Sequence, residues 1–275
     1  MIVLGGSSRQ SLAALRVALD NTLKGVSAGD ASAISSDLFK ALVAIDSSTG
    51  LRRALTDSAR DSSSKSDLIS DLFKKSLGGP ALALLANATA LRWSAPSGIA
   101  DAIEQIAVEA EATAANLSNS LDQVQSEIFT FSKLLIENPD LRTALSERSQ
   151  SAEAKQALIK SIFGSKFSAS TNSLLAHSVE SRRARSIEKT ISAYSHAVTA
   201  RRNRVNAHIK SSIALSDGQA KKLADSLTKQ IGQPVHLNIE IDPSILGGIS
   251  IRFGDEVIDG TISNRLAEAS RALVS

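Results

Sequence analysis

Four histidines, His177, His196, His208 and His236, are the residues of this chain best suited to moving protons or holding a metal. Their spacing supports neither. No pair forms HxxxH or HExxH, and with no cysteine in the chain no Cys/His metal set exists. His177 stands three residues before Glu180 on a predicted helix, where the two side chains can pair locally. His208 and His236 fall on the polar faces of predicted strands, which points to surface or interface. Serine is abundant, but there is no GxSxG elbow and no ordered Ser-His-Asp set. Neither GxxxxGK[ST] nor GxGxxG occurs, and Gly5-Gly6-Ser7-Ser8 lacks both a preceding strand and the lysine of a phosphate loop. The expectation is no catalytic residue, no cofactor-binding residue, no metal ligand and no cofactor.

The strongest charge feature is the segment 182–210. It holds Arg182, Arg183, Arg185, Lys189, Arg201, Arg202, Arg204 and Lys210 against Glu188 alone. Nucleic-acid binding would call for interleaved aromatics or a recognition helix, and only Tyr194 is near. A partly paired, solvated helix face is the plainer reading, and a docking face for an acidic partner is the next. A net charge of +3 is too small to argue for nucleic acid by itself.

The most informative run is 246–260. Ile249, Ile251 and Phe253 alternate with Ser250 and Arg252, the period of a half-buried strand. Gly247-Gly248 before it suits a bulge or a close backbone approach. Gly254-Asp255 predicts a turn, and Val257-Ile258 a short returning strand. Asp259-Gly260-Thr261 closes that strand and opens a last helix to about Val274, with Thr261 or Asp259 able to cap it. This arrangement is suited to docking rather than to chemistry.

The elements that carry these features are mostly helical. Ala and Leu dominate, 43% of residues are hydrophobic and only 3% aromatic, so a largely aliphatic core is expected. A helix is predicted over 8–24. Beyond it the chain repeats at an offset of 90 residues. Phe39 falls on Phe129, Leu51-Arg52 on Leu141-Arg142, Ala54-Leu55 on Ala144-Leu145, and Lys65 on Lys155. Leu68-Ile69 fall on Leu158-Ile159, Phe73 on Phe163, Leu84-Leu85-Ala86 on Leu174-Leu175-Ala176, and Arg92 on Arg182. These thirteen identities compare with roughly four or five expected by chance for such a composition. They read as two copies of one helical unit. The first copy predicts helices near 31–45, 50–58, 65–76, 80–92 and 98–115, with Ser66 or Asp67 capping the third. The second predicts 119–137, 139–146, 152–163, 170–181 and 183–203. After Arg204 the period changes from 3.6 to 2, giving strand, helix, strand, strand, short strand, helix. The fold class is mainly α: two tandem helical bundles followed by a small α+β domain. The expected divisions are an N-terminal helix in 1–29, bundles over 30–116 and 117–204, and the α+β domain over 205–275. No apolar run approaches the ~20 residues of a membrane span, and Met1 to Leu4 is too short for a signal peptide. A soluble cytosolic protein is expected.

The run 246–260, with Asn264, Arg265 and Leu266 after it, resembles the C-terminal signature of the delta subunit of F-type ATP synthase, the OSCP family. Leu215-Ser216-Asp217-Gly218-Gln219 and Ile231-Gly232-Gln233-Pro234-Val235 resemble two further stretches of that family, and 117–275 matches its layout of a helical bundle before a small α/β domain. The extra copy, roughly 30–115, makes this an enlarged form. The resemblance implies a non-catalytic stator subunit in one copy within a hetero-oligomeric complex. It implies partners in the N-terminal segments of alpha subunits, for the helical part, and the end of the b subunit, for the C-terminal domain. It implies a place on the cytoplasmic face of the cell membrane, without insertion into it and without nucleic acid. The candidate partner-binding residues are Ile249, Ile251, Val257, Ile258, Ile262 and Leu266. The alternative is a helical nucleic-acid-binding adaptor using 182–210.

Overall fold

The computed structural model describes residues 5–147, 149–180, 185–231, 235–243, 245, 247–253 and 256–262. Contacts divide the chain into two compact units, one running to Thr199 and the other starting at Ala200.

The first unit is helical. It contains α1 (Gly6–Thr22), α2 (Ala28–Ser47), α3 (Thr49–Thr56), α4 (Ser62–Phe73), α5 (Gly79–Ala90) and α6 (Pro96–Leu117). These are followed by α7 (Leu121–Glu137), α8 (Pro139–Ser146), α9 (Ala152–Phe163), α10 (Ala169–Glu180) and α11 (Ile187–Val205), the last crossing the division. Local chemistry sets several starts. Ser27 and Asp30 form a capping box for α2, and Pro96 and Pro139 stand at the first turns of α6 and α8. α4 departs from expectation. It starts three residues early, so Ser66 and Asp67 lie inside the helix and Asp61 holds the N-cap position. The buried stripe Lys65, Ile69 and Phe73, at i, i+4 and i+8, fixes its span.

The repeat is plain in the elements. α3 and α8, α4 and α9, and α5 and α10 begin and end 90 residues apart, and α2 and α7 end 90 apart. Equivalent side chains are buried in both copies: Leu38 and Ile128, Leu55 and Leu145, Ile69 and Ile159, Phe73 and Phe163, Leu84-Leu85 and Leu174-Leu175. The two copies share one core, continuous from Leu12 to Val198. α6 serves both copies. Shifted by 90 residues, α1 falls on the start of α6, while α6 itself corresponds to α11. It therefore closes the first copy and opens the second. Nearly every residue from Gly98 to Ala115 is buried as a result.

The second unit is a mixed sheet with one described helix. Strands β1 (Asn206–Ser211), β2 (His236–Ile241), β3 (Ile249–Phe253) and β4 (Glu256–Asp259) lie in the order β2-β1-β3-β4, with α12 (Asp217–Ile231) between β1 and β2. β1 and β2 are parallel; β1–β3 and β3–β4 are antiparallel. The register puts Leu237, Ile239, Ala207, Ile209, Ile251 and Ile258 on one face and His208, Lys210, Arg252 and Val257 on the other. Ala207, Ile209, Ile251, Val235 and Leu227 of α12 form the core. The expected turn at Gly254-Asp255 and the final helix with Asn264, Arg265 and Leu266 lie outside the described residues.

Candidate partner-docking site

Three buried carboxylates on α6 tie the helical unit together. Glu104, Glu109 and Glu111 are at most 2% exposed, and each meets a partner distant in sequence. Arg16 of α1 reaches Glu109 at 2.7 Å, and Ser32 of α2 donates to Glu111 at 2.9 Å. Arg185 pairs with Glu104, which also accepts from the Tyr194 hydroxyl at 3.3 Å. Burial works against the charge of Arg185, but the Glu104 carboxylate beside it holds its pKa above the ordinary arginine value.

The seam between the copies is aromatic. Phe39 of α2 stacks on His177 of α10, ring centroids 4.1 Å apart and planes 10° apart, and lies 6.2 Å from Tyr194 of α11. The expected His177–Glu180 pair is present at 2.7 Å. Burial pushes the Glu180 carboxyl up, but hydrogen bonds from His177 and Gln156 and the His177 charge hold it below the ordinary range. Glu180 thus orients the His177 ring that stacks on Phe39. Among the described residues no group of three or more His, Asp or Glu could hold a metal ion.

The repeat-equivalent of Phe39 is different. Phe129 of α7 is 71% exposed, and Ile136, two turns along the same helix, 69%. The sequence reading missed this pair as a surface feature. The signal available was an i, i+7 apolar pair lying off the stripe Val124, Ile128, Phe131 and Leu135 that the core claims.

In the second unit the candidate residues divide. Ile249, Ile251, Ile258 and Ile262 line one cleft of about 610 Å³, together with Ile213 and Leu215. Ile251 is also core, while Ile258 and Ile262 are nearly half exposed. Val257 points to the opposite face, where it pairs with Arg252, and Leu266 lies outside the described residues. Ile213, 69% exposed, belongs to the cleft and went unsingled in the sequence because it follows β1 in an irregular stretch. Gly247 and Gly248 hold the cleft's floor together with φ of +140° and +85°. Ile262 N donates to Gly247 O and Gly260 N to Ile249 O, both at 3.0 Å. A Cβ at Gly248 would stand 2.5 Å from Gly260 O, so close approach is the requirement these glycines meet.

Part of the basic segment is engaged within the protein. Arg185 pairs with Glu104, Arg201 is buried, and Lys210 meets Asp242 at 3.3 Å and Glu240 at 3.7 Å. Arg182 and Arg183 lie outside the described residues. Among the described helices none is long and apolar enough to cross a membrane.

The family model described as ATP synthase delta (OSCP) subunit matches residues 100–273, beginning within α6. The ATP synthase subunit delta of Streptomyces griseus subsp. griseus is 36% identical over 270 residues, covering 98% of this chain and 99% of that protein. That of Streptomyces coelicolor is 37% identical over 98% of each, and that of Thermobifida fusca 35% identical over 98% of each. These relatives therefore also match the helices ahead of residue 100, where the family model does not reach. The likeness to a chain of the Toxoplasma gondii mitochondrial ATP synthase hexamer is weak: TM-score 0.33 and 17% identity over 61% of this chain and 97% of that one. By the family model and by these full-length relatives, the chain belongs to the delta (OSCP) subunit family of ATP synthase.

Proposed function

We propose that this protein is a non-catalytic subunit of the peripheral stalk, joining the alpha/beta head of ATP synthase to the b subunit and resisting rotor torque. The helical unit takes N-terminal segments of alpha subunits, and the C-terminal unit takes the end of b in the apolar cleft lined by Ile249, Ile258 and Ile262. The protein sits on the cytoplasmic face of the cell membrane as one copy in the complex. The observation that carries this reading is similarity along 98% of the chain to proteins named ATP synthase subunit delta. The task is attachment, and attachment needs buried apolar anchors inside a polar rim rather than reactive groups.

The test is capture of the full-length protein by soluble b subunit and by alpha N-terminal peptides. Both are expected to bind, and binding through apolar anchors should persist as salt is raised, whereas phosphate binding falls steeply. Failure of both captures, or one-to-one MgATP binding at micromolar affinity, would overturn the reading.

A further inference from the structure

We propose that the three buried carboxylates of α6 act as an identity mark. Through them each copy tells α6 from its repeat equivalents α1 and α11, and the duplicated chain closes in one way only. This concerns how the chain closes on itself and does not depend on the stator reading.

The duplication creates an ambiguity. Each copy needs a first and a last helix, and α6 fills one of these places in each. By the offset of 90 residues, α1 is a rival for the first helix of the second copy, and α11 a rival for the last helix of the first. Apolar packing separates α6 from α11 poorly. Ala107, Val108 and Ala110 recur as Ala197, Val198 and Ala200. Hydrophobic contact is non-directional, and side chains of equal size fill the same surface. A repeat chain with such choices is open to swapped and mis-assembled forms.

The polar positions remove the ambiguity. At the place of Glu104, α1 has Ala14 and α11 has Tyr194. At the place of Glu109 they have Leu19 and Thr199, and at that of Glu111, Asn21 and Arg201. Neither rival carries a carboxylate at any of the three. These are the positions by which the two copies grip α6. From the first copy, Arg16 Nε donates to Glu109 Oε1 at 2.8 Å, and Ser32 Oγ donates to Glu111 Oε2 at 2.9 Å. From the second, Arg185 pairs with Glu104 and the Tyr194 hydroxyl donates to it at 3.3 Å. With α1 in the place of α6, Ala14 would stand where Arg185 and Tyr194 now share a carboxylate. With α11 there, Thr199 would meet Arg16, and Arg201 would meet Ser32. All three carboxylates of α6 are at most 2% exposed, and a protein interior tolerates least a charge parted from its counter-charge. The wrong closures are thus rejected by lost ion pairs where apolar shape does not reject them. Choice of register and partner is the best-attested use of buried polar groups.

The experiment reads the closure directly. The chain has no cysteine, and Ser35 Oγ of α2 lies 2.8 Å from Ala107 O of α6. A Ser35→Cys, Ala107→Cys pair therefore reports α6 against α2. A Ser35→Cys, Ala197→Cys pair reports α11 in its place, since a disulfide needs Cα atoms within about 7 Å. Each pair is built into the full-length chain, once with the native ties and once with Arg16→Met, Glu104→Met, Glu109→Met and Arg185→Met together, which removes the charges in pairs. The chains are refolded from urea, oxidised and mapped by mass spectrometry. With the native ties the 35–107 disulfide is expected and the 35–197 disulfide is not; ready formation of the latter would overturn the proposal. In the four-site variant the 35–197 disulfide, within one chain or between two, should rise at least tenfold while the urea midpoint stays close to the native one. An unchanged yield overturns the proposal. If that variant does not refold, Glu104→Gln with Glu109→Gln keeps the side-chain shapes and should show the same rise. An unchanged yield there, or failure of both variants to refold, would make the ties a matter of stability alone and overturn the proposal as well.

Discussion

Asp37 and Glu127, 90 residues apart, close the same helix end in the two copies. Asp37 Oδ2 accepts from Gly78 N at 2.8 Å, ahead of α5. Both Glu127 carboxylate oxygens accept from Ser168 N at 3.0 Å, ahead of α10, and Oε2 also accepts from Ser168 Oγ at 2.7 Å. In each copy a carboxylate on the second helix satisfies backbone donors that the fifth helix cannot satisfy itself, at the positive end of its dipole. This contact fixes how the two helices meet, and the acidic side chain differs by one methylene.

Replacing Glu127 by Gln should therefore cost about 0.5–2 kcal/mol at neutral pH, the range of a lost helix cap. Burial raises the Glu127 pKa, but hydrogen bonds from Thr171, Ser168 and Gln123 together hold it below the ordinary value. A carboxylate with a depressed folded pKa contributes stability above its unfolded pKa of about 4.3 and loses it as pH falls through the lower folded value. The gap between the native protein and Glu127→Gln in urea unfolding should be widest at neutral pH and close below about pH 4. A gap independent of pH would refute the assignment.

The two repeat-equivalent phenylalanines should respond oppositely to truncation. Phe39→Ala removes a fully buried ring stacked on His177 and should cost about 3–5 kcal/mol. Phe129→Ala removes a ring that is mostly in solvent and should stay within about 0.5 kcal/mol. Denaturant unfolding of the isolated protein measures both, and equal costs would mean that the copies are more alike than they look.

The buried pair Glu104–Arg185 should behave as a unit. Glu104→Met alone leaves the Arg185 guanidinium and the Tyr194 hydroxyl without their acceptor and should cost about 3–5 kcal/mol. Glu104→Met with Arg185→Met should recover most of that loss, because neither charge of this pair is then left without the other. Additive losses in the double-mutant cycle would show that the two side chains act independently.

Much of this was legible in the chain, for identifiable reasons. The offset of 90 residues is set by core positions such as Phe73 and Phe163, whose burial is local to each copy, so sequence alone exposes it. The strand pattern of Ile249, Ile251 and Arg252 likewise carries its own faces. The same alternation places neighbouring Val257 and Ile258 on opposite faces, so only one of them could ever have lined the cleft. What the chain hid is α6. With Glu104, Glu109 and Glu111 it reads as a helix with a solvated side. Its burial arises only because two copies close on it, with Arg16 and Arg185 supplied from 93 and 81 residues away. Phe129 was hidden for the reverse reason: it matches a core residue by offset, and only the lack of a following copy leaves it exposed.

The C-terminal unit offers the sharpest test of how shape supports docking. Gly248 sits at φ +85°, and an added Cβ would stand 2.5 Å from Gly260 O and 3.0 Å from Thr261 Cα. Both are backbone atoms, which cannot swing aside as a long side chain would. Gly248→Ala must therefore either strain β3 or push the end of β4 away, breaking the bonds from Gly260 N to Ile249 O and from Ile262 N to Gly247 O. A residue forced into such a conformation costs about 1–3 kcal/mol, much of what a unit this small can lose. Hydrogen exchange on the full-length protein should show lost protection in β3 and β4, with α2–α10 unchanged. Capture by b subunit should weaken, because Ile258 and Ile262 no longer align with Ile249 across the cleft, while capture by alpha peptides survives. Gly218→Ala serves as the contrast: nothing lies within 4 Å of a Cβ there, and the change should be neutral or stabilise the unit by about 0.4–1 kcal/mol. If Gly248→Ala instead abolished alpha capture and left b capture intact, the two ends of the molecule would have to exchange their roles.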